Sequence, residues 1–356
     1  MSSIGLRIHQ ARRRRGLTLR DLSAAGVGVS HTTLGKYERG ESTPDSATLI
    51  QIARALGYGL DFFLRPVRVG EIRPAYRKGD GLSRKEEGQV IEEVRDWLER
   101  YLEAERVWGE ASPFDEPDGY PYPVASFDDV EEAALRLRDS WDVGLDPIED
   151  LTGHLEDSGV RVGRVPAPDD FDACAFWADK TVPVIATNRA RPGDRQRYNL
   201  AHELGHLVLD VAEDKGSGFT EEKACHRFAG AFLAPRPTLV SDLGERKRKR
   251  MSPSELYILK QKYGLSMNAL VYRAHDLGVI SEAEKRRLFD EFEAVGWRTE
   301  EPGEPIETEE PTRFRLLVLQ ALAEGLIGRR RAEELYKEGP LTTPREREAL
   351  GDLATA

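Results

Sequence analysis

Arg197-Tyr198-Asn199-Leu200-Ala201-His202-Glu203-Leu204-Gly205-His206-Leu207-Val208-Leu209 sets a His-Glu-x-x-His motif inside an apolar, helix-compatible run. Four residues make about one helical turn, so a helix here projects both imidazoles from one face, where they can share a metal ion. Glu203 stands beside them, placed for a carboxylate that takes a proton from water. Chance produces this motif in on the order of one chain in a hundred of this length, so its surroundings must carry the case. Leu200, Leu204, Leu207 and Val208 recur at helical spacing and supply an apolar face to bury. Gly205 costs about 1 kcal/mol against alanine in a helix, which is reasonable where another backbone or a substrate passes close by.

Upstream, Cys174–Ala178 and Thr181–Ala186 flank Asp179-Lys180 as the arms of a β-hairpin. Pro183 suits an edge strand, where a missing donor does little harm. A sheet edge beside the motif helix is a track for an extended peptide, because main-chain hydrogen bonds supply the affinity. A catalytic metal also needs a third protein ligand. The next helix offers candidates: Thr220 caps its start, Glu221 and Glu222 occupy its first turn, and Cys225, Phe228, Ala231 and Phe232 form its buried stripe. The helix dipole alone favours carboxylates there, so position does not choose between the two.

With these residues in view, the chain resembles the ImmA/IrrE-type metallopeptidases. The family pattern Arg-Phe-Thr-Leu-Ala-His-Glu-hydrophobic-Gly-His corresponds to Arg197–His206. The following Glu-x-x-Ala-Asn/Asp-x-Phe-Ala corresponds to Glu222-x-x-Cys225-His226-x-Phe228-Ala229, with Pro235 closing the run. The resemblance implies a zincin-like domain with a small sheet. It implies Zn²⁺ held by His202, His206 and Glu222, with Glu221 as the fallback ligand and Glu203 as the catalytic base. It further implies a protein substrate, a repressor-like regulator cleaved in a stress or mobile-element response. Three departures stand out. Cys225 replaces alanine; His226 replaces Asn or Asp and is placed to orient a ligand or approach the metal; Asp210 replaces a further histidine on the face of His202 and His206, where it either orients a ligand or, as read here, faces solvent. Tyr198 and His226 are the candidates for steadying the oxyanion. A helix at 128–139, a second at 148–158 and a strand at 160–162 follow the family order and extend the unit back to about residue 128.

The N-terminus tells a separate story. Ile4–Arg15 is amphipathic and ends at Gly16; Thr18 caps Leu19–Ala25; Ser30 caps His31–Glu38; Ser46–Leu56 and Leu60–Leu64 follow. Two helices joined by the glycine-containing turn Gly26–Val29 describe a helix-turn-helix. Residues 1–65 hold ten Arg or Lys against five Asp or Glu, a net of +5, whereas the chain totals −11, leaving −16 for the remainder. A basic head on an acidic body suits phosphate neutralisation by the head alone. Gly16-Leu17-Thr18, Gly28-Val29-Ser30, Tyr37–Gly40, Pro44 and Ala55-Leu56-Gly57 resemble the phage-repressor (Cro/CI, XRE) family. That resemblance implies double-stranded DNA as partner, with paired half-sites favouring a homodimer. His31, Thr32, Gly35 and Lys36 are expected at base edges, and Ser30, Thr33 and Arg39 at phosphates. Arg12–Arg15 is either a solvated helix end or an extra phosphate contact.

The fold class expected is mainly α with an α+β core. It comprises an all-α helix-turn-helix domain (1–66), a connector with a long helix over Arg84–Val107 (67–127), the metallopeptidase domain (128–295), and an acidic linker with C-terminal helices (296–356). The basic run Arg246–Arg250 is read as a solvated loop. Two cysteines exclude a disulfide framework, and Cys174 and Cys225 are read as small buried apolar residues. No internal repeat, secretory core or transmembrane run is visible, so no membrane role is expected and the cytoplasm is the expected location. Function narrows to two readings. One is a DNA-binding regulator carrying a zinc endopeptidase. The other is a non-cleaving, antitoxin-like regulator whose peptidase-like domain senses or docks a partner.

Overall fold

The computed structural model describes residues 3–70, 72, 81–214, 216 and 218–350. Of the basic connector expected over Pro66–Gly81, residues 71 and 73–80, Pro74 and the Gly79-Asp80 turn among them, lie outside the described residues. The protein is mainly helical with a small sheet, and it divides into two compact units. The first comprises Met1–Ala111, Val165–Phe171 and Arg313–Ala356; the second comprises Ser112–Arg164 and Asp172–Thr312.

The first unit opens with α1 (Ser3–Arg14), α2 (Leu19–Ala24), α3 (His31–Arg39), α4 (Ser46–Leu56) and α5 (Leu60–Leu64). Local chemistry sets these bounds. Thr18 and Asp21 form a capping box on α2, and the Ser30 hydroxyl accepts from the Thr33 N–H at 3.2 Å on α3. Asp45, unread from sequence, caps α4 by accepting from the Thr48 N–H at 2.7 Å. Gly40 and Gly57 end α3 and α4 at φ 75° and 73°, left-handed backbone that costs glycine nothing. Ile8, Leu22, Leu34, Ile52 and Phe63 are fully enclosed in the core between these helices.

A long helix, α6 (Arg84–Trp108), begins at a Ser83/Glu86 capping box and stops at Gly109. It was expected as a connector, but it is a packed member of this unit. Its acidic side faces the basic side of α1: Arg7 pairs with Glu99 at 2.5 Å, and Arg14 pairs with Glu93 and, at 2.8 Å, with Asp96. Opposite charges on two distant stretches of chain therefore seat α6 against the helix-turn-helix core.

The second unit begins with β1 (Tyr122–Val124), α7 (Phe127–Ser140), α8 (Leu151–Asp157) and β2 (Arg161–Val165). Next come β3 (Ala173–Ala178) and β4 (Val182–Asn188), an antiparallel hairpin in register from Ala173↔Thr187 to Ala178↔Val182. Its loop takes in three residues, 179–181, one more than the Asp179-Lys180 pair expected, and Asp179 and Lys180 both have positive φ (49° and 66°) in a tight turn closed by the Thr181 N–H donating to the Ala178 carbonyl at 3.1 Å. The sheet order is β2-β4-β3. The strand bearing Pro183 is thus the middle one, contrary to the edge position expected. Pro183 is tolerated because it is the second residue of the strand, where the loss of one ladder donor is least felt.

The motif helix follows as α9 (Gly193–Val208). It gives way at once to β5 (Leu209–Val211), which pairs in parallel with β1. Asp210, expected on the helix face of His202 and His206, instead lies on this strand because the helix ends at Val208; it is exposed, as expected. Then come α10 (Glu221–Leu233), α11 (Arg236–Leu243), α12 (Pro253–Tyr263), α13 (Met267–Asp276) and α14 (Glu282–Ala294). Leu200, Leu204, Val208, Phe228, Phe232, Tyr263, Leu270 and Val271 join one core.

The stretch expected as an acidic linker, 296–310, is strapped to this unit. Glu301 accepts from the backbone N–H groups of Met267 (2.8 Å) and Asn268 (2.9 Å) and pairs with Lys260. Glu309 accepts from the Thr152 N–H at 2.7 Å and pairs with the buried Arg197. Acidic residues that looked solvating are ligands for helix N-termini and buried cations. The chain then returns to the first unit with α15 (Arg313–Ala323), α16 (Arg329–Leu335) and α17 (Pro344–Leu350). Phe314 stacks on Tyr101 of α6 at 5.0 Å between centroids, and Arg100 donates to the Leu335 carbonyl at 2.5 Å.

Candidate functional site

Two successive helices of the second unit build the site. On α9, the His202 and His206 rings sit 5.1 Å apart on one face. α10 crosses α9 at Gly205: a Cβ there would lie 3.3 Å from the Cα, Cβ and Sγ of Cys225. That close approach is what the glycine allows, and it brings the first turn of α10 up to the imidazoles. His202 Nε2 is 3.5 Å from Glu222 Oε2, and His206 Nε2 is 3.7 Å from Glu222 Oε1. One ligand atom from each of the three residues lies within 4.8 Å of the others, the one such cluster among the described residues. Donors held by a tetrahedral zinc at about 2.0–2.1 Å are spaced by roughly 3.3 Å, so these separations fit a single small cation of that kind. Two imidazoles and a carboxylate are also the donor chemistry zinc takes.

Glu221 and Glu222, left undecided by position in sequence, face different atoms. Glu222 addresses both Nε2 atoms, whereas Glu221 Oε1 is 2.9 Å from His206 Nδ1, on the far side of that ring. The bond to His202 holds the Glu222 carboxyl below its usual range, with His206 and His226 adding to the effect against partial burial.

Glu203 is buried on the inner side of α9. Burial pushes its carboxyl above the usual range, against the pull of His202 and His206 and a hydrogen bond from the Ala175 backbone. Its Oε2 has no hydrogen-bond partner among the described residues. A solvent-excluded carboxylate with one idle oxygen, next to a cation-sized gap, can exchange a proton with a small molecule held there. Ala175 belongs to β3, the edge strand of the sheet, so Glu203 lies between the donor cluster and that edge.

Tyr198 and His226 come together over the same face. The Tyr198 hydroxyl is 3.1 Å from His226 Nδ1, and the His226 ring lies 4.4 Å from that of His202. Cys174 and Cys225 are both buried, and desolvation pushes both thiols up, so they stay protonated. That is the behaviour of small apolar residues.

In the first unit, α3 presents His31, Thr32, Lys36 and Arg39 to solvent, with Thr33 half-buried beneath them. Ser30 and Thr33 share a hydroxyl contact of 3.0 Å at the helix start, and Arg39 pairs with Glu41 at 2.5 Å. Gly35 was expected at base edges but is buried under Leu19 and the Arg39 guanidinium. The arginine run also finds internal partners: Arg12 binds Glu38 and the Leu17 carbonyl, Arg14 binds Glu93 and Asp96, and Arg15 binds the Leu56 carbonyl. In Arg246–Arg250, Arg248 pairs with Glu255 at 2.8 Å while Arg246, Lys247 and Lys249 are exposed.

Comparison with known proteins gives two matches. Residues 8–63 match a family model described as helix-turn-helix. Residues 156–275, which include both helices of the donor cluster, match a family model described as IrrE N-terminal-like domain. No curated protein and no solved structure matches the chain. No helix among the described residues is long and apolar enough to cross a membrane.

Proposed function

We propose that this chain, a helix-turn-helix domain joined to an IrrE N-terminal-like domain, is a DNA-binding regulator carrying a zinc-dependent endopeptidase. Its substrate is a specific regulator protein of the repressor kind, cleaved in the cytoplasm in a stress or mobile-element response. The single observation that carries this reading is the convergence of His202, His206 and Glu222 beside the idle, buried Oε2 of Glu203.

In this proposal His202, His206 and Glu222 hold the zinc. When bound, the zinc supplies Lewis-acid polarisation of the scissile carbonyl and of the attacking water. The residues of the chain do the rest. An extended peptide adds to the open edge of β3, which aligns its carbonyl with α9 through main-chain hydrogen bonds. Glu203 takes a proton from the attacking water as the new C–O bond forms. It then delivers that proton to the amide nitrogen as the C–N bond breaks, releasing a free amine and a carboxylate. Tyr198 and His226 border the same space and are the groups at hand to donate to the developing oxyanion.

On DNA, His31, Thr32 and Lys36 read base edges in the major groove, while Ser30, Thr33 and Arg39 contact phosphate. Arg39 must leave Glu41 to do so. A homodimer supplies the two readers that paired half-sites need.

The test combines metal analysis with cleavage assays on candidate repressor proteins. Wild type is expected to carry one zinc per chain and to cut, whereas Glu203→Gln keeps the zinc and loses at least a thousandfold in turnover. Equal cleavage by both forms refutes the role given to Glu203. Zinc and operator binding without cleavage by either would point to the non-cleaving regulator instead.

A further inference from the structure

The two carboxylates at the start of α10 are not duplicates, and the difference assigns Glu221 a task. Glu222 reaches the Nε2 atoms of both histidines. Glu221 reaches only the opposite nitrogen of one of them, His206 Nδ1, at 2.9 Å. A carboxylate oxygen can only accept, so a neutral His206 ring bound this way keeps its single proton on Nδ1. Its Nε2 lone pair is then bare and turned toward Glu222 and His202. The His206 side chain is only 2% exposed, so water does little to substitute for this partner. The other imidazole is treated differently: His202 Nδ1 is buried and has no hydrogen-bond partner among the described residues.

Local structure fixes Glu221 for the purpose. It is the first residue of α10, behind the Thr220 cap, and its own N–H donates to Glu213 Oε1 at 3.2 Å. Its charge lies at the positive end of the helix dipole, which favours an anion without spending a further side chain. The approach of α10 to α9 at Gly205 holds this first turn over His206.

We propose that Glu221 is a positioning residue. It sets the tautomer and ring orientation of His206, and through that ring it raises the affinity of the centre for its cation, while Glu222 alone supplies the carboxylate ligand. This rests on the zinc reading given above. Groups that orient a metal-binding imidazole typically contribute ten- to a hundredfold in affinity.

The full chain of wild type, Glu221→Ala, Glu221→Gln and Glu222→Ala should be titrated with zinc against a competing chelator. Each form should also be loaded with cobalt(II) for visible absorption. Glu221→Ala is expected to bind zinc ten- to a hundredfold more weakly with unchanged stoichiometry and the intense four-coordinate cobalt bands of wild type. Glu221→Gln, which keeps an accepting oxygen in the same shape, should recover part of that loss and guards against a folding artefact. In metal-free protein, ¹⁵N spectra should show His206 protonated at Nδ1 in wild type and redistributed toward Nε2 in Glu221→Ala; a purely structural role would leave this unmoved. Wild-type affinity in Glu221→Ala overturns the proposal. So does a collapse of its cobalt bands like that expected for Glu222→Ala, since Glu221 would then be a ligand. If wild type itself takes up no zinc, the parent reading fails and carries this one with it.

Discussion

Gly205 shows how one missing side chain can set the spacing of a centre. A Cβ at that position would meet Cys225 at 3.3 Å, tighter than ordinary packing, and Cys225 is fully buried. Gly205→Val should therefore push α10 off α9 and separate Glu222 from the histidines. We expect a loss of about 1–3 kcal/mol in stability from overpacking. Zinc affinity should fall by more than tenfold, read by chelator competition and thermal unfolding. A valine variant with unaltered zinc affinity would show that the spacing is set elsewhere. On the proposed DNA face, Lys36 is exposed and forms no ion pair among the described residues, unlike Arg39, which sits on Glu41. Lys36→Ala should cost about 1–3 kcal/mol of operator affinity and relax base preference at one position. Arg39→Ala should lower the salt dependence of binding with little change in sequence preference. Binding measured over a salt series on matched and mutated operators separates the two.

Among the elements, α1 and α6 hold each other by charge. Burial alone would push the Asp96 carboxyl up, but Arg14, then Arg100 and Lys337, draw it down to about 2. A folded value below the unfolded one means that the stabilisation is complete above about pH 4–5. It then fades as pH falls toward 2, by about 2 kcal/mol in all. Asp96→Asn should lose about that much at pH 7 and flatten the acid limb of the stability curve. Chemical unfolding at a series of pH values checks both; an acid limb identical to wild type would remove Asp96 from the account. The same contacts give most of Arg12–Arg15 partners inside the unit. The guanidiniums of Arg12, Arg14 and Arg15 have carboxylates or carbonyls as partners within the unit, so a phosphate would have to compete with them.

For the molecule as a whole, the chain leaves the helix-turn-helix unit, builds the second unit and returns to complete the first. Phe314, Leu317, Val318 and Leu335 are buried there, with Phe314 stacked on Tyr101 of α6. Each buried Leu or Phe contributes about 1.5–3 kcal/mol. A chain ending at Thr312 should thus lose amide protection along α6 by more than tenfold in hydrogen exchange. The proposed metal centre, whose residues lie in the other unit, should keep its zinc affinity. Unchanged protection in α6 would mean that the C-terminal helices are ornament to that unit.

Much of this was legible one residue at a time. The Ser30 and Thr18 caps, the Gly40 and Gly57 stops, the Asp179-Lys180 turn and the His202/His206 pairing depend on neighbours within four residues, so sequence alone carries them. The donor cluster was half legible: α9 declared its two histidines, but Glu221 and Glu222 are adjacent, and only the packing of α10 on α9 shows which imidazole atoms each one faces. Pro183 in a middle strand, the strap at Glu301 and Glu309, and the partners of Arg14 were not legible. In each of these the physics lies in a contact between segments far apart in the chain. A charge or a proline carries no mark of which distant surface it will meet until the chain has folded.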